Sequence, residues 1–151
     1  MKQFFVILLM SGMLIASDAA KVVYDLTTGD AAKIEKQLIK GVAATADYYA
    51  AQHKPFKVIV VISGDAYRYF IDDLAHSPYA SESRTEEIQK RFKPALESLS
   101  KKGVQFFMCA TGMKKRKIKK QVLYRYVQSD KIKNVYLIDA QNAGYAYLPI
   151  H

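Results

Sequence analysis

The segment FKVIVVIS, residues 56–63, constrains this chain more than any other. Apart from Lys57 and the closing serine it is apolar on both faces that a strand presents, so it has no side to offer water. Such a strand belongs in the middle of a sheet covered above and below. Pro55 precedes it and Gly64-Asp65 ends it, which marks both limits.

Strands and helices alternate around it. KVVYDL, residues 21–26, is a β-branched run stopped by Thr27, Thr28, Gly29 and Asp30. From Asp30, a suitable N-cap, Ile34, Leu38, Val42 and Ala46 recur close to helical spacing and predict a long amphipathic helix. A second helix is predicted over residues 85–101, with Ile88, Phe92, Leu96 and Leu99 on one side and Pro94 expected to kink or break it. After Gly103, VQFFMC reads as a third strand ending at Cys109. Beyond it the pattern predicts short helical pieces, a brief strand near residues 126–128, a helix from about Asp130 to Ala143 and a last strand YAYLPI. Periodicity alone would also let NVYLIDA form a strand. This order predicts an α/β fold, three layers (α/β/α) with a mainly parallel sheet of about five strands.

Residues 1–19 read as a signal peptide: Lys2, an apolar run from Phe4 to Ile15, then small residues at Ser17 and Ala19. The apolar run is about 12 residues, short of the roughly 20 that a membrane span needs. Cleavage is expected after Ala19, leaving one soluble periplasmic domain over residues 20–151 with no membrane span.

With 23 Lys and Arg against 14 Asp and Glu, the formal charge is +9. Lys114, Lys115, Arg116, Lys117, Lys119 and Lys120 form its densest block. Such a surface attracts anions and acidic partners, and export removes most nucleic acid from reach. TTGD, residues 27–30, lacks the second Gly and the Lys-Ser/Thr pair of a phosphate loop. His53, His76 and His151 show no metal-ligand spacing with Cys109, so neither a metal nor another cofactor is expected. His76 is the one candidate base for a Cys-His hydrolase, and an isolated loop histidine is more often solvated.

Cys109 is the only cysteine. At the end of an apolar strand a free cysteine is most simply a small core residue. Its setting argues for chemistry. A lone cysteine in an exported protein cannot form an internal disulfide. It stands at the carboxyl end of a strand, on the rim where open α/β sheets bind ligands. Ala-Thr-Gly follows and can lead into a helix whose N–H groups face sulfur, with the basic run nearby; both favour thiolate. Thr28, Gly64, Asp65, Gly112 and Met113 are the supporting positions expected on that rim. Asp25, Asp30 and Asp65 read either as an acidic rim or as turn and cap residues.

The order KVVYDLTTGD, VIVVISGDAY, GVQFFMCATGM and QNAGYAYLP resembles the DsrE/DsrF-like family of small sulfur-relay proteins over nearly all of residues 20–151. The cysteine segment and the closing Gln141-x-x-Gly144-Tyr145-Ala146-Tyr147 carry most of the likeness. The resemblance implies that Cys109 accepts sulfur as a persulfide and passes it on, with a sulfur donor and an acceptor thiol protein or small sulfur compound as partners. It also implies a homo-oligomer, a trimer or hexamer. A signal peptide sets this chain apart from cytoplasmic relay members, and Lys117 stands before Ile118 where the family often has Gly. The alternative function is a non-catalytic oligomeric module that binds a small anion or partner protein on the same rim.

Overall fold

A computed structural model describes residues 19–151. The signal-peptide expectation falls on residues outside that range, save for Ala19. Five strands, β1 (Ala20–Leu26), β2 (Phe56–Ile62), β3 (Gln105–Met108), β4 (Val127–Gln128) and β5 (Ala146–Ile150), form one sheet in the order β4-β3-β2-β1-β5, with every pairing parallel. β2 is the central strand, as its two apolar faces require, and Val58, Val60, Val61 and Ile62 are all buried.

The strand order decides where the helices go. From β1 to β4 the chain steps always in one direction; from β4 it returns past the whole sheet to lie beside β1. Right-handed crossovers place the helices of the first steps on one face and the returning helix on the other. The first helix is continuous, made of α1 (Ala31–Lys33), π-helical turns over Ile34–Lys40 and α2 (Gly41–Ala51). Asp30 caps it as expected, its Oδ1 accepting from the N–H groups of Ala32 at 2.9 Å and Lys33 at 3.2 Å. Then come α3 (Ser83–Lys101), α4 (Ala110–Lys115) and α5 (Lys133–Asn142). NVYLIDA thus lies in the expected helix and not in the strand that its periodicity also allowed.

The two faces are covered unequally. The first carries the main core, where Ile34, Leu38, Phe92, Leu96, Tyr67 and Phe70 pack on Val60, Ile62, Phe106 and Met108. The second carries a small cluster in which Tyr136, Leu137 and Ala140 of α5 meet Val23 and Val61. At about 1.5–3 kcal/mol for each fully buried large apolar side chain, most of the apolar stabilisation sits on the first face.

Three readings change in detail. Pro94 neither ends nor divides α3, which runs through it. Its ring lies on the exposed side of the helix, so the carbonyl that loses a donor there faces water instead of the core. β3 is shorter than VQFFMC, and Cys109 stands just beyond its end as the N-cap of α4. Asp25 is no rim residue: it lies within β1, 2% exposed. No helix among the described residues is long and apolar enough to cross a membrane.

Candidate thiol site

Cys109 is held by its backbone before its sulfur is considered. Its N–H donates to the Ile62 carbonyl at 3.0 Å, continuing the β2–β3 pairing by one residue. Its carbonyl accepts from the Met113 N–H at 3.1 Å, the first turn of α4, and from the Tyr67 hydroxyl at 3.0 Å. The Ala110 N–H donates to the Lys131 carbonyl at 3.0 Å, which ties the segment before α5 to the cysteine loop. The residue is 8% exposed.

Two helices start at the cysteine, α4 from its own backbone and α5 across from its sulfur. The Lys133 N–H, the first of α5, donates to Sγ at 3.3 Å. α5 has no side-chain cap at Ile132, so the thiol occupies the acceptor position that a serine or aspartate usually fills. Burial pushes the Cys109 thiol up, and the Gly112 and Lys133 N–H groups, the Tyr67 hydroxyl and the Thr111 N–H outweigh it, leaving the thiol below its ordinary value. Hydrogen bonds to the charged form are what stabilise a thiolate here. The expected helix terminus is therefore present. The basic run acts differently from expectation: no side chain of residues 114–120 is among these principal causes.

Tyr67 comes from the 3-10 helix Gly64–Phe70 that follows β2. It is 1% exposed, and burial pushes its phenol up, so it remains a proton donor. The Arg116 guanidinium lies 5.0 Å from its ring centroid and 4.0 Å from Asp65 Oδ1. Gly112 exists for this ring: a Cβ there would sit 1.9 Å from the Tyr67 hydroxyl oxygen. No side chain larger than hydrogen fits beneath α4.

The other predicted positions fall on the same rim in less direct roles. Gly64, at φ 61°, adopts a left-handed conformation, and a Cβ would lie 2.4 Å from the Thr27 carbonyl oxygen. That close approach lets the Asp65 N–H donate to the same carbonyl at 2.9 Å, joining the ends of β1 and β2. Thr28 Oγ1 accepts from the Asp30 N–H at 3.1 Å and serves the turn into α1. Met113, 3% exposed, belongs to the main core. His76 pairs with Asp73 at 2.8 Å on an exposed loop, and no histidine figures among the groups acting on Cys109.

Tyr67 and Lys133 are the site residues that the sequence did not single out. Lys133 does more than present its N–H. Its ammonium lies 2.8 Å from Asp25 Oδ2, which also accepts from the Tyr147 hydroxyl at 2.9 Å. Around the site, Lys114, Lys115, Lys117, Lys119 and Lys120 are exposed and none pairs with a described carboxylate. Arg116 is the one member of that block with an acidic partner among the described residues.

The sequence profile of the DsrE/DsrF-like family matches residues 21–150. Among solved structures, the fold is similar to that of a protein of unknown function, MTH1491, from Methanobacterium thermoautotrophicum. The two share a TM-score of 0.65 and 18% sequence identity, over 86% of this chain and 98% of that one. At that identity the likeness speaks for the fold. No curated protein gives a significant match.

Proposed function

From the chain's membership of the DsrE/DsrF-like family, we propose that it is a sulfur carrier that holds sulfane sulfur as a persulfide on Cys109. The observation that carries this reading is the hydrogen bond from the Lys133 N–H, at the start of α5, to the chain's one thiol, which sits at the N-cap of α4 and is held below its ordinary value. The thiolate is the nucleophile in sulfur exchange. It attacks the outer sulfur of a donor persulfide, the donor S–S bond breaks, and its electron pair leaves with the donor as a thiolate while the proton stays on the transferred sulfur. An acceptor thiolate then attacks that outer sulfur and Cys109 leaves as thiolate. Neither step changes the net oxidation state, so no cofactor takes part.

With Cys109 8% exposed, slim reagents suit the site better than bulky ones. The exposed lysines at 114, 115, 117, 119 and 120, none of them paired with a described carboxylate, favour anionic sulfur compounds or partner proteins with an acidic face. Residues 1–19 support export to the periplasm. N-terminal sequencing of the exported protein is expected to begin at Ala20; recovery of the full-length chain in membranes would contradict this.

Self-association belongs to the same proposal. Ile132 just before α5, Val135 and Ile138 on it, and Tyr147 on the same face of β5 are 47%, 37%, 54% and 40% exposed. A second copy covering these residues would complete the thin layer. Light scattering is expected to give a trimer or hexamer, and a monomeric mass would remove that part.

The deciding test treats purified protein with polysulfide and records intact mass. A gain of one or more sulfur atoms on Cys109, absent in Cys109→Ser and reversed by a small thiol, is expected. A folded protein that takes up no sulfur would leave the oligomeric binding module as the better description.

A further inference from the structure

β1 is apolar at every buried position but one. Val22, Val23, Tyr24 and Leu26 are buried as a central strand demands, and Asp25 among them is 2% exposed. Its Oδ2 accepts from the Lys133 ammonium and the Tyr147 hydroxyl, and its Oδ1 has no partner among the described groups. A buried ion pair with an unsatisfied oxygen is a poor source of stability, since desolvation offsets much of the attraction and apolar residues of similar size often serve as well.

Lys133 is just as ill-suited to its local position. It is the first residue of α5, where the helix dipole disfavours a cation. Neither residue is accounted for by its own element. Both are accounted for by what Lys133 does at its other end, where its backbone N–H donates to Cys109 Sγ at 3.3 Å. One residue thus spans from the carboxylate in β1 to the sulfur beyond β3. Elsewhere α5 is held to the sheet by Tyr136, Leu137 and Ala140, and the segment before it by the Ala110 N–H on the Lys131 carbonyl and by the Asp130 and Lys131 N–H groups on the Tyr136 hydroxyl; the ion pair is what ties Lys133 itself to β1.

We infer that Asp25 and the Lys133 side chain are positioning residues for Cys109: their buried ion pair pins the first turn of α5 to β1 and so keeps the Lys133 N–H on the sulfur. The inference rests on reading Cys109 as the reacting group. The charged and titratable groups facing the thiol are Tyr67 from beyond β2, with Arg116 against its ring, and Lys133 from α5. Those facing Asp25 are Lys133 and Tyr147.

A positioning role and a plain charge effect differ in sign at Asp25. If only charge mattered, removing a nearby carboxylate would favour the thiolate and speed its alkylation. If the ion pair positions α5, Asp25→Asn loosens the N–H and slows it. The experiment is the rate of iodoacetamide alkylation of native protein from pH 5 to 10, under reducing conditions, with circular dichroism to check folding. Asp25→Asn and Lys133→Met are each expected to move the profile to higher pH. Each should slow the reaction at pH 7 roughly threefold to tenfold, the scale of one weakened hydrogen bond to a charged group. Lys133→Arg should retain the wild-type profile within about twofold, because it keeps the ion pair.

The double variant Asp25→Leu with Lys133→Met removes both charges without stranding either. It should fold even if Asp25→Asn does not, and should react about as slowly as Lys133→Met alone, since the two residues act as one unit. Faster alkylation in Asp25→Asn, or a wild-type profile in the double variant, would overturn the inference. Sulfur loading is scored separately by intact mass. A wild-type protein that loads no sulfur yet shows these alkylation shifts would sink the carrier reading and leave the positioning role standing; normal loading with unmoved profiles would do the reverse.

Discussion

The two faces of the sheet solve different problems. On the first, α1 to α4 seal a dry core in which Leu38, Phe70, Phe92 and Phe106 are at most 1% exposed. On the second, α5 stands alone over Val23 and Val61, a carboxylate is buried beneath it, and apolar side chains remain on its outer side. Cys109 lies where the two meet, its backbone tied to Tyr67 of the first face and its sulfur to Lys133 of the second. The difference teaches a division of labour. The first face fixes where the cysteine is, and groups from both faces, Gly112, Thr111 and Tyr67 from the first and Lys133 from the second, decide what its sulfur experiences.

The sharpest way to test that division is to remove the sulfur. Cys109→Ser is expected to abolish sulfur uptake completely, because an alcohol forms no persulfide, while the urea midpoint moves little. Loss of folding in this variant would mean that the thiol belongs to the first face after all. Truncations on the two faces come next. Phe92→Ala should cost about 3–5 kcal/mol and Leu137→Ala about 2 kcal/mol, at the low end for a buried leucine because its surroundings are thin. Equal costs by urea unfolding would erase the asymmetry.

Gly112→Ala probes the seam itself. Its new methyl would meet the Tyr67 hydroxyl oxygen at 1.9 Å and the ring carbon bearing it at 2.7 Å, so a cost of about 1–3 kcal/mol is expected from overpacking. Pairing it with Tyr67→Phe should recover part of that, since the nearer of the two contacts is gone. A neutral Gly112→Ala in thermal melts would show that α4 can lift away from Tyr67.

How much of this was legible in the sequence follows the same division. The first face was readable because local pattern determines it: FKVIVVIS could only be central, Asp30 could only cap, and an apolar run stopping at Cys109 puts that residue on the rim. The partners of the sulfur were not readable. Tyr67 lies 42 residues before Cys109 and Lys133 lies 24 after it. Each sits in an element whose periodicity says nothing about the other end of the site. Asp25 in an apolar strand was the one available signal, a charge where alternation asks for none, and it pointed to a buried partner instead of a rim. The basic run drew attention by its density, but density in sequence is not proximity to sulfur. The N–H groups that act on the thiol leave no trace in side-chain identity, apart from the glycine that lets Tyr67 approach.

The smallest expected effect is the most specific to the sulfur itself, and it concerns pH. The folded state holds the Cys109 thiol below its ordinary value, whereas in the unfolded chain it reverts to about 8.5. A group whose folded pKa is depressed adds stability that is fully present above the unfolded value and is lost as pH falls through the folded one. Wild type should therefore gain stability relative to Cys109→Ser as pH rises across that window, with reductant present throughout. Every other titrating group, Tyr67 included, is common to both proteins, so their difference isolates the thiol. Urea midpoints for the pair at about pH 6 and pH 9.5 read it directly. A gap that narrows toward high pH would mean that burial outweighs the N–H groups of α4 and α5, and the sulfur would then be core rather than site.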